Sequence, residues 1–185
     1  MQIAVLLTAL AQYLSISAPQ TSFLPPSYKQ SDSRWGSITL GFGPDTISQA
    51  GCLMTSITSA VAGYSILING TVPLPPDMNT WLKNNNGFVS GDLFVWNAIE
   101  PLGFTFNGFV NTSVAISENI MKKNVVILNV NGGHHYVLCL GINAYGYAVM
   151  DPATPGKNIY NFSEVVRAGV YTYTGGNSTK TFLTY

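Results

Sequence analysis

Few side chains in this sequence can break a bond, and each can be placed individually. Cys52 follows Gly51 in "GCLMTS". His134 and His135, the only two histidines, are adjacent in "GHHYVLCLGI", and Asp151 comes sixteen residues after His135 in "YAVMDP". A thiol at the first residue of a helix lies near the positive end of the macrodipole and near unpaired N–H groups, which favours the reactive thiolate. A cysteine also serves as a small buried hydrophobe or as half of a disulfide, and residue type alone leaves those uses open. Cys139 is flanked by large apolar residues and reads as a core thiol; a bridge from it to Cys52 would remove the nucleophile. Adjacent residues of a strand point to opposite faces, so only one of the two imidazoles can serve a given cleft. The same geometry suits chelation of one ion poorly, and no further Cys/His cluster lies near, so no metal is expected. Asp151 ends the strand that follows a hairpin turn. Antiparallel pairing would return it to the start of the histidine strand, where a carboxylate can hold an imidazole in one tautomer. A plain Asp-Pro turn is the alternative use of that residue, and under that use Asp151→Asn is neutral. Under the orienting use the substitution changes reactivity but is expected to leave stability nearly unaltered.

The elements that must carry these residues are legible as patterns. "GCLMTSITSAVAGY" (51–64) reads as a buried helix entered from a Gly-rich loop. "PPDMNTWLKNNNGF" (75–88) reads as a short helix with Met78, Trp81 and Leu82 on its apolar face, started by prolines and stopped at 84–87. "GDLFVWNAIEPLGF" (91–104) is read as another short helix, and "SVAISENIMKKN" (113–124) as a better one with two lysines in its last turn. The period then changes. "VVILNV" (125–130), "YVLCLGIN" (136–143), "YAVMDP" (147–152) and "GVYTY" (169–173) are short, β-branched and aromatic, and punctuated by glycine. Asn143-Ala144-Tyr145-Gly146 is the hairpin turn between two of them. Helices first and an antiparallel sheet later is an α+β arrangement.

Length and composition bound the rest. The chain has 185 residues, enough for one domain with a real core. Charged residues are only 9%, with eight of each sign, so no electrostatic case exists for nucleic acid or an anionic membrane. A near-neutral polar surface fits an extracellular or virion-associated protein, or a subunit of a larger assembly. No apolar run reaches the length of a transmembrane span. Residues 1–18 form an apolar segment, read as an N-terminal helix packed on this domain or on a neighbouring subunit; Ser15 and Ser17 also allow a signal-peptide reading. Residues 19–27 form a Pro-rich extended linker, and 28–185 the main domain.

"YKQSDSRWG", "GCLMTS", "GHHYVLCLGI" and "YAVMDP", in that order, resemble the Gln…Cys…His…Asp series of papain-like cysteine peptidases, and are most similar to the branch that processes bacteriocin leaders. "MNTWLKNNNGFVSGDLFVW" resembles the middle segment of that branch. The resemblance spans residues 28–152. It implies a papain-like fold, with a helical N-terminal half carrying the Cys on a buried helix, packed on an antiparallel sheet that carries His and Asp. By position, Gln30 is implied as the oxyanion donor, Cys52 as nucleophile, His135 as base and Asp151 as its orienter. His135 is chosen over His134 because an aromatic residue and Val follow it directly, here Tyr136 and Val137. The expected activity is thiol-dependent cleavage of amide bonds, in a peptide or in the peptide stems of bacterial cell wall, with no cofactor. The same triad serves acyl transfer. The alternative is a structural or adhesion subunit of a virion or surface assembly that keeps the fold without turnover.

Overall fold

The computed structural model describes residues 23–175. The expectations for residues 1–18 lie outside the described residues. Residues 23–27 carry no helix or strand. Phe23 nevertheless packs on Tyr64, with ring centroids 4.8 Å apart, and Leu24 N–H donates to Gly63 O at 3.4 Å, so this stretch lies against the body of the domain.

Among the described residues, four α-helices and eight strands follow. Helix α1 is one turn, Ile47–Ala50, and α2 runs Cys52–Gly63. Helix α3 is Pro75–Asn84 and α4 is Ser113–Met121. Strands β1 (Phe88–Val89) and β2 (Leu93–Phe94) form a small hairpin. The main sheet contains β3 (Phe104–Val110), β4 (Val125–Val130), β5 (His135–Asn143), β6 (Gly146–Met150), β7 (Ile159–Tyr160) and β8 (Arg167–Tyr173). Its order is β3-β8-β4-β5-β6-β7, antiparallel throughout.

Helix α2 is buried from Met54 to Gly63, which explains why its sequence has no polar stripe of charged residues. Three of its four hydroxyls find partners locally or on the sheet, and Thr55 Oγ1 is buried without one. Thr58 Oγ1 donates to Met54 O at 2.7 Å, and Ser56 Oγ donates to Tyr136 O at 3.2 Å, fastening the helix to β5. Two apolar clusters flank the sheet. Ile127, Leu138, Met150 and Tyr171 pack with Met54, Ile57, Met78 and Leu82 on the α2–α3 side. Val126, Leu128, Val137, Cys139, Tyr147 and Val149 pack with Ile116 of α4 on the other. With both faces covered, all six residues of β4 are buried, and "VVILNV" is a continuous apolar run rather than an alternating one.

Two local readings change. Residues 91–104 are not one helix: Leu93–Phe94 pair with Phe88–Val89, and a 3-10 stretch, Trp96–Leu102, follows. Pro101 in that stretch and the left-handed Gly103 (φ 90°) after it explain the absence of a regular α-helix. Strand β5 begins at His135, whereas His134 lies exposed in the preceding turn, its N–H bonded to Asn131 O at 3.3 Å. The hairpin turn at 143–146 is as read, with Asn143 paired to Gly146 and Asn143 Oδ1 accepting Tyr145 N–H at 2.8 Å. No helix among the described residues is long and apolar enough to cross a membrane.

Candidate active site

Cys52 owes its position to Gly51. Thr46 and Gln49 close a capping box at the start of α1, with Thr46 N–H donating to Gln49 Oε1 at 2.8 Å. Gly51 ends that turn through its N–H to Ile47 O at 2.8 Å and is also the N-cap of α2, whose first bond runs from Thr55 N–H to Gly51 O at 2.8 Å. A β-carbon on Gly51 would run into Ile47 O and lie 2.9 Å from Ile47 Cγ2, so only glycine allows the chain to change axis this tightly. Cys52 therefore opens a buried helix. Its backbone N–H is one of the first four of α2, which have no partner within the helix. Its thiol is free and partly exposed.

The first residue of β5 and the residue after β6 meet this helix end. His135 Nε2 lies 2.7 Å from Asp151 Oδ1, and Cys52 is near enough to the imidazole to favour its charged form. With Nε2 engaged by the carboxylate, Nδ1 is the nitrogen left for sulfur. The register explains the reach: Leu138 pairs with Met150, so Asp151 lies diagonally across from His135 rather than opposite it. Burial works against the imidazolium, but the hydrogen bond to Asp151 and the proximity of Cys52 outweigh it and raise His135 from 6.5 to about 9. Asp151 is buried, which favours its neutral form. Hydrogen bonds from His135, from the Lys157 and Ala153 N–H groups and from the Tyr160 hydroxyl overcome that and hold the carboxylate far below its usual range. The Tyr160 hydroxyl donates to Oδ2 at 2.9 Å, and its own ionisation is pushed well up by burial and by that carboxylate.

Gln30 arrives on a turn strapped to the same loop. Its backbone N–H donates to Pro152 O at 2.9 Å, and the neighbouring Lys29 Nζ donates to Asp151 O at 2.6 Å. Trp35 Nε1 donates to Lys29 O at 2.8 Å and pins the turn from beneath. The Gln30 side chain gives one N–H of Nε2 to Ser48 O at 2.7 Å, which leaves its second N–H for another acceptor.

The remaining candidates separate cleanly. Cys139 is buried and free, and burial pushes its thiol up to about 12, partly offset by a hydrogen bond to Gly141 O. The imidazole bonded to Asp151 is His135, not the exposed His134. No group of His, Cys, Asp or Glu among the described residues is arranged to hold a metal ion. Sequence reasoning missed Lys29 and Tyr160. The Asp-Pro turn was a usable signal for one donor, since Ala153 N–H to Asp151 Oδ1 at 2.9 Å is the local bond such a turn makes. Tyr160 gave no signal, because its hydroxyl reaches Asp151 only through the pairing of β7 with β6.

No protein-family model and no curated protein matches the chain. Among solved structures it is similar to one described as the crystal structure of a double glycine motif protease from an AMS/PCAT transporter in complex with the leader peptide. The two are 15% identical, the match covers 85% of this chain and 97% of that one, and the TM-score is 0.51. At that identity the likeness is one of fold: helices packed on an antiparallel sheet in the papain-like arrangement.

Proposed function

We propose that the protein is a cysteine peptidase in which Cys52 is the nucleophile, His135 the acid and base, Asp151 the orienting carboxylate and Gln30 an oxyanion donor. The observation that carries this reading is the series Asp151–His135–Cys52, a carboxylate 2.7 Å from the imidazole and a thiol that favours the imidazolium from the N-terminus of a buried helix. The fold likeness to a protease supports it.

The chemistry follows from the geometry. His135 takes the thiol proton at Nδ1, which its raised ionisation favours, and the sulfur becomes the nucleophile. The thiolate attacks the carbonyl carbon of the substrate amide. Negative charge moves to the carbonyl oxygen, where the Cys52 N–H and the free Nε2–H of Gln30 receive it. Losing one such donor typically costs about 3 kcal/mol of barrier. The Nδ1 proton passes to the leaving amine, and a thioester remains on Cys52. His135 then takes a proton from water, which releases the acid and regenerates the thiol. Asp151 keeps the Nε2–H tautomer throughout, as in Ser-His-Asp systems. The substrate is a peptide, in keeping with the leader peptide bound to the structural neighbour. Peptide stems of cell wall offer the same amide bond, and release of stems from purified wall tests that substrate.

The test is selective alkylation with iodoacetamide at pH 6, followed by peptide mapping. Cys52 is expected to react fast and Cys139 not at all, and Cys52→Ala is expected to abolish cleavage of a peptide library. A Cys52 as inert as Cys139 overturns the reading and favours a structural subunit.

A further inference from the structure

Beside His135, one row of side chains crosses three strands. Tyr136 of β5 pairs with Asn129 of β4, and Asn129 pairs with Arg167 of β8. Directly paired residues share a face of the sheet, and Tyr136 packs with the α2-side cluster, the side from which Cys52 approaches. Tyr136 is also the residue whose carbonyl receives Ser56 Oγ, one turn into the helix that Cys52 begins. Asn129 is buried and spends its amide on the turn before His135, donating to Gly133 O at 3.0 Å and His135 O at 3.3 Å. Arg167 ends the row. It is exposed, its guanidinium lies 4.4 Å over the Phe109 ring, and Nη2 donates to the Tyr136 hydroxyl at 3.4 Å.

Arg167 differs from the other arginine. Arg34 is paired with Asp32 at 2.7 Å, whereas among the described residues no carboxylate pairs with Arg167. Its partners are a ring and a phenol, both neutral. They fix the plane of the guanidinium while leaving most of its donors, and all of its charge, for a further acceptor. A planar, oriented, unpaired guanidinium is shaped for a carboxylate.

We propose that Arg167 is a specificity-determining residue that selects a substrate with an Asp or Glu side chain close to the scissile bond. The proposal rests on the peptidase reading of the site. Tyr136 follows His135 directly in the chain, packs on the α2 side and receives Arg167 at its hydroxyl, so on this reading a substrate lying across Cys52 and His135 brings a neighbouring side chain past Tyr136 to the guanidinium. Peptide lying over the guanidinium removes water from the pair and strengthens it over an ordinary surface ion pair.

The experiment is a positional scan with fluorogenic peptides, comparing Asp and Glu with Asn, Gln and Lys at each position around the cleaved bond, with Cys52→Ala as the blank. The parent is expected to cleave acidic peptides about tenfold faster than their amides at one position. Arg167→Gln is expected to erase that preference, and Arg167→Glu to turn it toward Lys. Arg167→Lys should keep part of it, since the charge stays and the fork is lost. Circular dichroism of each variant confirms that it folds. Cleavage with no acidic preference at any position, or a preference unaltered in Arg167→Gln, overturns the proposal and leaves the peptidase reading standing. Absence of any Cys52-dependent cleavage overturns both.

Discussion

Asp151 accepts more hydrogen bonds than holding one imidazole requires. Its Oδ1 takes His135 Nε2 at 2.7 Å and Ala153 N–H at 2.9 Å, and its Oδ2 takes Lys157 N–H at 3.0 Å and the Tyr160 hydroxyl at 2.9 Å. Asparagine has a single acceptor oxygen, so in either orientation its NH2 faces a backbone N–H. The sequence alone makes Asp151→Asn structurally mild; the four donors make it costly, by about 1–3 kcal/mol of stability for the buried donor left unpaired. Urea denaturation measures that loss, and no change in midpoint would mean that the donors find water instead. Reactivity should fall as well, by roughly 10- to 100-fold, about 1.4 to 2.7 kcal/mol, and the rate of Cys52 alkylation at pH 6 reads it. His135 adds a pH dependence of definite sign. Its folded value, about 9, is above the ordinary 6.5, so its contribution to stability is fully present below pH 6.5 and is lost as pH rises through about 9. The urea midpoint is therefore expected to decline between pH 7 and 9.5 in the parent and to flatten over that range in His135→Gln. An equal decline in both would place its source elsewhere.

At the scale of the element, the site depends on where α2 starts. Gly51 has an ordinary φ of −82°, so its conformation does not demand glycine; the contact of a β-carbon with Ile47 does. Gly51→Ala must move either the α1 turn or the first turn of α2. It is expected to destabilise by about 1–3 kcal/mol, as overpacking against backbone does, and to slow Cys52 alkylation more than a stability loss explains. Normal alkylation in a folded Gly51→Ala protein would show that the junction yields without moving the sulfur. The same junction shows what a sequence can reveal. "GCLMTS" announces a helix start because glycine precedes a long uncharged apolar run, and "VVILNV", "YVLCLGIN" and "YAVMDP" announce strands because β-branched and aromatic runs are bounded by turn residues. Cys52, His135 and Asp151 are legible because each sits at the edge of such an element. Strand β3, "FTFNGFV", is masked by the segment before it, whose Trp96 to Leu102 mimics a helix but winds as 3-10 around Pro101. Strands β1, β2 and β7 have two residues each, too few for any period to register. Lys29 and Tyr160 join the site only through tertiary contacts, the first across 122 residues of chain.

At the scale of the whole molecule, one ring holds the loop layer to the sheet. Trp96 lies in the 3-10 stretch, and its ring centroid is within 6.2 Å of those of Phe94, Phe106, Phe109, Tyr136 and Tyr171, rings carried by β2, β3, β5 and β8. The Tyr171 hydroxyl donates to Trp96 O at 2.9 Å, which ties the backbone as well as the ring. Beneath the indole, Gly169 leaves no space: a β-carbon there would lie 2.6 Å from Trp96 Cη2. Phe109 pairs with Gly169 across the strands, yet the residue is 44% exposed. Two residues in mutual contact should therefore differ sharply in energetic weight. Trp96→Ala removes a packed aromatic and leaves a cavity bordered by several strands, so a loss of about 3–5 kcal/mol is expected. Phe109→Ala should cost far less, about 1 kcal/mol, because solvent already covers much of the residue. Gly169→Ala tests the same place from the opposite direction, by adding volume without removing any ring, and should cost about 1–3 kcal/mol. Tyr136 is both a neighbour of Trp96 and the residue after His135, so Trp96→Ala and Gly169→Ala should also slow Cys52 alkylation in protein that remains folded, whereas Phe109→Ala should not. Equal stability losses in Trp96→Ala and Phe109→Ala by urea denaturation would show that the aromatic cluster is a surface feature and that the two apolar clusters flanking the sheet hold the molecule without it.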